Sequence, residues 1–298
     1  MPKKDNANKI FFTNPMENPL VLDVYRHQAN YRIETDEDAK GDLCAVYFSS
    51  NGIYSENTEE EFTRVILEKD RFEWSRNRVQ AAKKHVFLRD VTKNMYQNGI
   101  SETMNSLEKM IDFLREETKG YRLVTVGSSS GGYCACAAGV MLNAERVYSF
   151  TGQFSVYISF FQVPYGPVDV FDLSDEALYP PEKVKYYNII DHMKCCNVPI
   201  FYFSSLQKQD LVQLHLAKQQ FNIFTFAMKS KEHRRPVYGF NFNDIINMDD
   251  NVLKRLGEKY SDRKISRFWF SVQVTGFWQT VRLLLKQFYN QTRTNLFD

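Results

Sequence analysis

Residues 121–132 read Tyr121-Arg122-Leu123-Val124-Thr125-Val126-Gly127-Ser128-Ser129-Ser130-Gly131-Gly132, and small residues continue through Cys134-Ala135-Cys136-Ala137-Ala138. Leu123 to Val126 is an apolar, β-branched run that favours a strand. Gly132–Leu142 suits a helix buried on all sides. Between them, Gly-x-Ser-x-Gly has to turn the chain from strand to helix within a few residues. A serine on so tight a turn sits in a strained backbone conformation with its hydroxyl exposed. Residues two before and two after must be small, because other backbone passes close by. Gly127, Gly131 and Gly132 meet that requirement. Ser129 also stands at a helix N-terminus, where aligned N–H groups favour developing negative charge. A Gly/Ser-rich loop that only turns, or that binds phosphate, is the plainer alternative. No Gly-Lys-Ser/Thr follows, so a P-loop is not supported.

Outward from that turn, short apolar runs alternate with amphipathic ones. Candidate strands are Pro19–Tyr25, Ala29–Glu34, Leu43–Ser49, His85–Asp90, Arg122–Val126, Arg146–Thr151, Pro199–Ser204 and Asn222–Met228. The first three follow one another closely, as antiparallel neighbours do. Helices are expected over Asn57–Glu68, capped by Asn57 with Glu60, and over Ser101–Glu117, with Met104, Leu107, Met110, Ile111 and Leu114 on one face. This alternation implies an α/β chain, a mostly parallel eight-stranded sheet with helices on both faces. One domain over 1–260 is expected, with 151–197 as a small cap carrying Pro164, Pro167 and Pro180-Pro181. Residues 261–298 form a basic and aromatic extension packed on it.

A serine hydroxyl is a poor nucleophile until a base takes its proton, and the base needs an acid to orient it. Reactive groups in open α/β sheets gather at the carboxyl ends of strands. Asp210 follows the strand Pro199–Ser204 through a polar turn, and His233 follows Asn222–Met228. His27 and His85 precede Ser129, while His192 and His215 fall in expected helices. Asp169 and Asp172 are the alternative acids if the cap supplies one. Charge on an acyl oxygen needs N–H donors. Ser130, next to Ser129, offers one, and Ser50 or Asn51 in Phe48-Ser49-Ser50-Asn51-Gly52 offers the other. A plain loop turn accounts for Ser50 and Asn51 equally well.

The glycine-flanked Ser129, with Asp210 and His233 on later strand ends, resembles the α/β-hydrolase superfamily over roughly residues 19–260. The resemblance implies acyl-ester chemistry through a covalent acyl-Ser129, most simply a carboxylic ester hydrolase acting on an acylated sugar or small ester. The chain is also distantly similar to bacterial proteins of that fold that add or remove acyl groups on sugars and capsule polymers. An O-acetyltransferase of this kind implies acetyl-CoA as donor, whose phosphates Lys229, Lys231, Arg234 and Arg235 could meet. A solvated basic loop explains those four equally. Ser-Ser-Asn-Gly stands where the superfamily often has His-Gly, a departure from its familiar lipase and carboxylesterase branches. A non-catalytic binding protein on the same scaffold is the reading from another class. All three triad positions are nevertheless filled.

The bulk composition excludes more than it selects. A net charge of +2 over 298 residues does not argue for nucleic acid as partner. Five cysteines, with Cys195 and Cys196 adjacent, do not make a disulfide framework or a zinc spacing and read as reduced thiols, which points to the cytoplasm. No metal and no tightly bound organic cofactor is implied. No signal peptide or membrane-spanning run is visible. The tail sets Arg267, Arg282 and Lys286 among large apolar groups, with a helix near Gly276–Asn290. Packing on the domain or a homodimer contact fits it, as does a membrane-surface helix.

Overall fold

The computed structural model describes residues 11–156, 185–194 and 196–297. Strands β1 (Tyr31–Thr35), β2 (Leu43–Phe48), β3 (Lys84–Leu88), β4 (Arg122–Ser128), β5 (Arg146–Phe150), β6 (Ile200–Ser204), β7 (Ile223–Met228) and β8 (Lys264–Ile265) form one sheet. Their order is β1-β3-β2-β4-β5-β6-β7-β8. Every neighbouring pair is parallel except the edge strand β1, which runs antiparallel to β3 with Ile33 opposite Val86. The expected α/β class and mostly parallel sheet are therefore present.

Two parts of the expected layout change. Pro19–Tyr25 is not a strand but most of helix α1 (Pro19–His27). Asn18 caps it by accepting from the N–H groups of Leu20 and Val21, and Pro19 supplies a preset first helical turn. Val21, Val24 and Tyr25 then fall on one buried face. The early strands are also not consecutive antiparallel neighbours: β3 inserts between β1 and β2, and β2 pairs parallel on both sides. The eighth strand is instead β8, two residues that pair with Ala227 and Met228. The residues that follow it also join the core, with Phe270 buried beside Phe203 and Phe226.

The helix starts shift by a few residues. Thr58, not Asn57, caps α2 (Glu59–Phe62), which continues as a π-helical turn over Thr63–Glu68. Ser106 caps α3 (Leu107–Glu117) by accepting from Lys109 N–H, so Ser101 lies upstream of it. Of the expected cap, residues 157–184 and 195 lie outside the described residues, and with them Asp169 and Asp172.

Alternation along the strands divides the core into two layers, because successive side chains leave opposite faces. Cys44, Val46 and Phe48 of β2 meet α3 and the buried helix α4 (Ser130–Met141). Leu43, Ala45 and Tyr47 face a second layer that holds Trp74, Ile245, Leu253 and Phe270. Across that layer Phe150, Phe203 and Phe226 stack at centroid distances of 4.8 and 4.6 Å, a stiff floor under the strand ends. Among the described residues, no helix is long and apolar enough to cross a membrane.

Candidate active site

The strand-to-helix turn after β4 forms because each of its glycines meets backbone. A Cβ on Gly127 would stand 2.1 Å from the carbonyl oxygen of Gly131, and one on Gly131 would stand 2.2 Å from that of Phe48. Gly132 packs on Gly152 in the same way, at 2.8 Å to its Cα. These contacts force Ser129 to φ 53° and ψ −121°, a strained conformation for a residue with a Cβ, worth about 1–3 kcal/mol. The strain lifts its side chain out of the sheet plane toward the strand ends.

His233 arrives on a tight turn after β7. Ser230 Oγ accepts from Glu232 N–H and donates to the Arg235 carbonyl, closing the turn. Thr151 Oγ1 donates to the His233 carbonyl at 2.8 Å, fastening the turn to the end of β5. The imidazole Nε2 then lies 2.9 Å from Ser129 Oγ, and Nδ1 lies 2.6 Å from Asp210 Oδ1. Asp210 sits in the first turn of the helix Lys208–Ala217 rather than in the loop before it, and its side chain is buried. Ser205 Oγ donates to Oδ2, so both carboxyl oxygens of Asp210 are engaged. With Asp210 Oδ1 as the acceptor, Nδ1 carries the ring hydrogen, so Nε2 is left to accept from the serine hydroxyl.

The other expected histidines lie elsewhere. His27 is exposed against Asp23, and His85 is buried against the Tyr47 hydroxyl. His192 and His215 stand in the helices Ile190–Met193 and Lys208–Ala217.

The Ser130 N–H opens α4, where backbone donors have no acceptor one turn back. The loop after β2 lies beside it with its donors engaged. Ser50 N–H donates to Glu73 Oε2 at 2.7 Å, and Asn51 N–H donates to Ser130 Oγ at 2.8 Å. Tyr96 braces the loop from behind by donating to the Ser49 carbonyl, and Asn51 Nδ2 donates to the Lys93 carbonyl. Lys93, Met95 and Tyr96 all have positive φ, held there by Asp90, whose buried carboxylate accepts from Thr92 and Tyr96 N–H groups.

Ser129 opens onto a groove of ≈ 740 Å³ whose far wall is residues 69–77. Sequence reading missed this segment. It has no helical or strand period, and its one signal is the density of charge and aromatics in Lys69-Asp-Arg-Phe-Glu-Trp74. Glu73 Oε1 and Oε2 take the Ser50 Oγ and N–H hydrogens, and Trp74 Nε1 donates to the Phe48 carbonyl, zipping the wall to the β2 loop. Burial raises the Glu73 carboxyl above the usual range, and Arg71 and Arg234 pull it back in part.

The groove is cationic. Lys69, Arg71, Arg76, Arg234 and Arg235 line it, and none of them forms an ion pair among the described residues. Asp70, also on the wall, is already taken by Arg32 and Arg89. Of the four basic residues around His233, Arg234 and Arg235 face the groove, whereas Lys229 and Lys231 are exposed outside it.

A mostly parallel eight-stranded sheet with a strained serine at the strand-to-helix turn after β4 is the α/β-hydrolase fold. A similar solved structure is the capsule O-acetyltransferase of Neisseria meningitidis serogroup A, 15% identical, with 74% of this chain and 92% of that chain covered at a TM-score of 0.50. Esterase B of Lactobacillus rhamnosis is 11% identical over 80% of this chain and 90% of that one, with a TM-score of 0.42. Proline iminopeptidase of Mycobacterium smegmatis is 10% identical over 78% and 96%, also with a TM-score of 0.42. No protein-family model matches the chain, and no curated protein matches it by sequence.

Proposed function

We propose that the chain is a serine-nucleophile enzyme of acyl-ester chemistry, with Ser129 as nucleophile, His233 as base and acid, and Asp210 as its orienting acid. The observation that carries this reading is the continuous line of hydrogen bonds from Ser129 Oγ through His233 to Asp210, at 2.9 and 2.6 Å. Ser129 Oγ attacks the acyl carbonyl while its proton passes to His233 Nε2, and Asp210 stabilises the imidazolium. The oxyanion is met by Ser130 N–H and by a donor of the Ser50–Asn51 loop, Ser50 N–H once it releases Glu73, while the Asn51 tie to Ser130 Oγ keeps the loop in place. Collapse expels the alcohol, protonated by His233, and leaves acyl-Ser129. Water, deprotonated by His233, then releases the acid and restores the hydroxyl. The substrate in this reading is an acylated sugar or small ester, and the buried single thiols Cys44, Cys134 and Cys136 support a cytoplasmic setting.

The cationic groove favours a second reading, in which the acyl donor is acetyl-CoA and the acceptor is a sugar or polysaccharide hydroxyl. Arg71, Arg76, Arg234 and Arg235 suit a donor that carries phosphates beside the serine. The two readings share the first half of the mechanism and differ in leaving group and acceptor.

Intact mass spectrometry after incubation with acetyl-CoA, and separately with p-nitrophenyl acetate, tests both. An acetyl adduct on the wild type that is missing from Ser129→Ala establishes the nucleophile, and the donor that forms it separates transfer from hydrolysis. No adduct and no Ser129-dependent turnover of either compound returns the chain to the binding-protein reading.

A further inference from the structure

The C-terminal helices have two unlike sides. Helix Arg267–Thr275 ends at Gly276, whose φ of 91° redirects the chain into helix Phe277–Phe297. The root of the pair is clamped to the body. Asn241 Nδ2 donates to Ser271 Oγ and Thr275 Oγ1, and Ser271 Oγ lies 3.0 Å from Thr280 Oγ1 inside the contact. The other side carries Trp269, Phe277, Trp278 and Leu285 in the open, at 60%, 45%, 81% and 64% exposure. Trp278 and Leu285 are seven residues apart and so share one helical face. Phe288 and Tyr289, also exposed, follow on that side one turn further.

Between Arg267 and Phe297 the sequence holds Arg267, Arg282, Lys286 and Arg293, with no Asp or Glu. Arg282 and Lys286 are exposed beside the aromatic face. Cations flanking exposed Trp, Tyr and Leu match the chemistry of a bilayer surface, where indole and phenol rings lie at headgroup depth and anionic headgroups attract the cations. A second copy is the poorer occupant. Pairing this face with itself would bring Arg282 and Lys286 of both chains together with no carboxylate on the helix to offset them.

We propose that the face formed by Trp269, Phe277, Trp278, Leu285, Arg282 and Lys286 docks the protein on an anionic lipid surface. The helix lies along the surface and does not span it. The proposal is independent of which acyl chemistry Ser129 performs.

Sedimentation of the full chain with vesicles tests it, using phosphatidylcholine alone and phosphatidylcholine mixed with phosphatidylglycerol. The protein should sediment with the mixed vesicles and remain largely free with the neutral ones. Arg282→Gln with Lys286→Gln should weaken partition into mixed vesicles about thirty-fold. Trp269→Ser with Trp278→Ser and Leu285→Ser should abolish it, while thermal unfolding confirms that both variants remain folded. Equal sedimentation with both vesicle types overturns the proposal. So does no sedimentation with either, including the case in which the wild type is a dimer that the Trp269, Trp278 and Leu285 variant dissociates.

Discussion

Asn51 donates its backbone N–H to the buried Oγ of Ser130 at 2.8 Å, tying the loop after β2 to the residue that follows Ser129. The loop that carries one suggested oxyanion donor is thus held by a single side chain to the residue that carries the other. Replacing Ser130 with Ala removes that tie and leaves the Asn51 peptide free to rotate. Ser130→Ala is expected to cost about 1 kcal/mol of stability and to lower kcat roughly ten-fold or more with KM little changed. Steady-state kinetics on the ester that labels Ser129, alongside thermal unfolding, check it. An unchanged kcat would show that the tie plays no part in positioning.

Asp210 accepts from His233 Nδ1 in a buried site, so Asp210→Asn presents an amide where a carboxylate stood. The amide favours the wrong imidazole tautomer and offers no charge to the imidazolium. Turnover is expected to fall by about 10^4-fold while the fold persists. A loss smaller than ten-fold would argue that another group supplies the acid.

Gly131 lies where an added Cβ would stand 2.2 Å from the Phe48 carbonyl oxygen, a backbone atom with nowhere to go. Gly131→Ala should therefore destabilise the chain by about 3 kcal/mol or more and reduce soluble yield. Gly239→Ala, with nothing within 4 Å of its Cβ, is the matched control and should leave the melting temperature nearly unchanged.

Burial pulls the Lys93 ammonium from its ordinary 10.5 to about 8, and the Arg234 charge adds to the effect. Below about pH 8 the lysine is charged in both folded and unfolded chains, and the folded state bears the burial cost. Between about pH 8 and 10.5 the folded lysine loses its proton first and the cost fades. Wild type should therefore gain stability relative to Lys93→Met as pH rises through that window. Denaturant unfolding of both proteins at about pH 7 and about pH 10 reads the difference. A gap that stays constant or moves against the wild type contradicts the assignment.

If the groove takes acetyl-CoA, the cations that line it should make that binding sensitive to salt. KM for acetyl-CoA is expected to rise with ionic strength, and Arg71→Ala with Arg76→Ala should raise it about ten-fold or more. Salt-independent KM values would leave the groove charge without a role in donor binding.

The sheet was legible in the sequence where strands are interior, because Leu43–Phe48 or Ile200–Ser204 are buried on both faces and read as continuous apolar runs. Pro19–Tyr25 misled because its apolar density outweighed the quieter signal of Asn18-Pro19, a cap followed by a helix-starting proline. The insertion of β3 between β1 and β2 leaves no local trace, since partner choice is settled by crossovers far apart in the chain. Lys264–Ile265 is too short to carry a period at all. At the site, chain order and strand ends singled out three residues that lie within hydrogen-bond reach of one another. The groove wall stayed hidden because Arg71, Glu73 and Trp74 hold an irregular segment by side-chain contacts that no periodicity reports. The near-neutral net charge also masked how unevenly the cations are spread.

The three tryptophans fall into two optical environments. Trp74 is packed in the groove wall against Phe150 and Phe242, whereas Trp269 and Trp278 stand in water on the C-terminal helices. Intrinsic fluorescence therefore divides into a blue, quencher-resistant component beside Ser129 and a red, readily quenched one from the tail. The chain carries its own pair of spectroscopic reporters, one for the groove and one for the C-terminal helices, without a label being added.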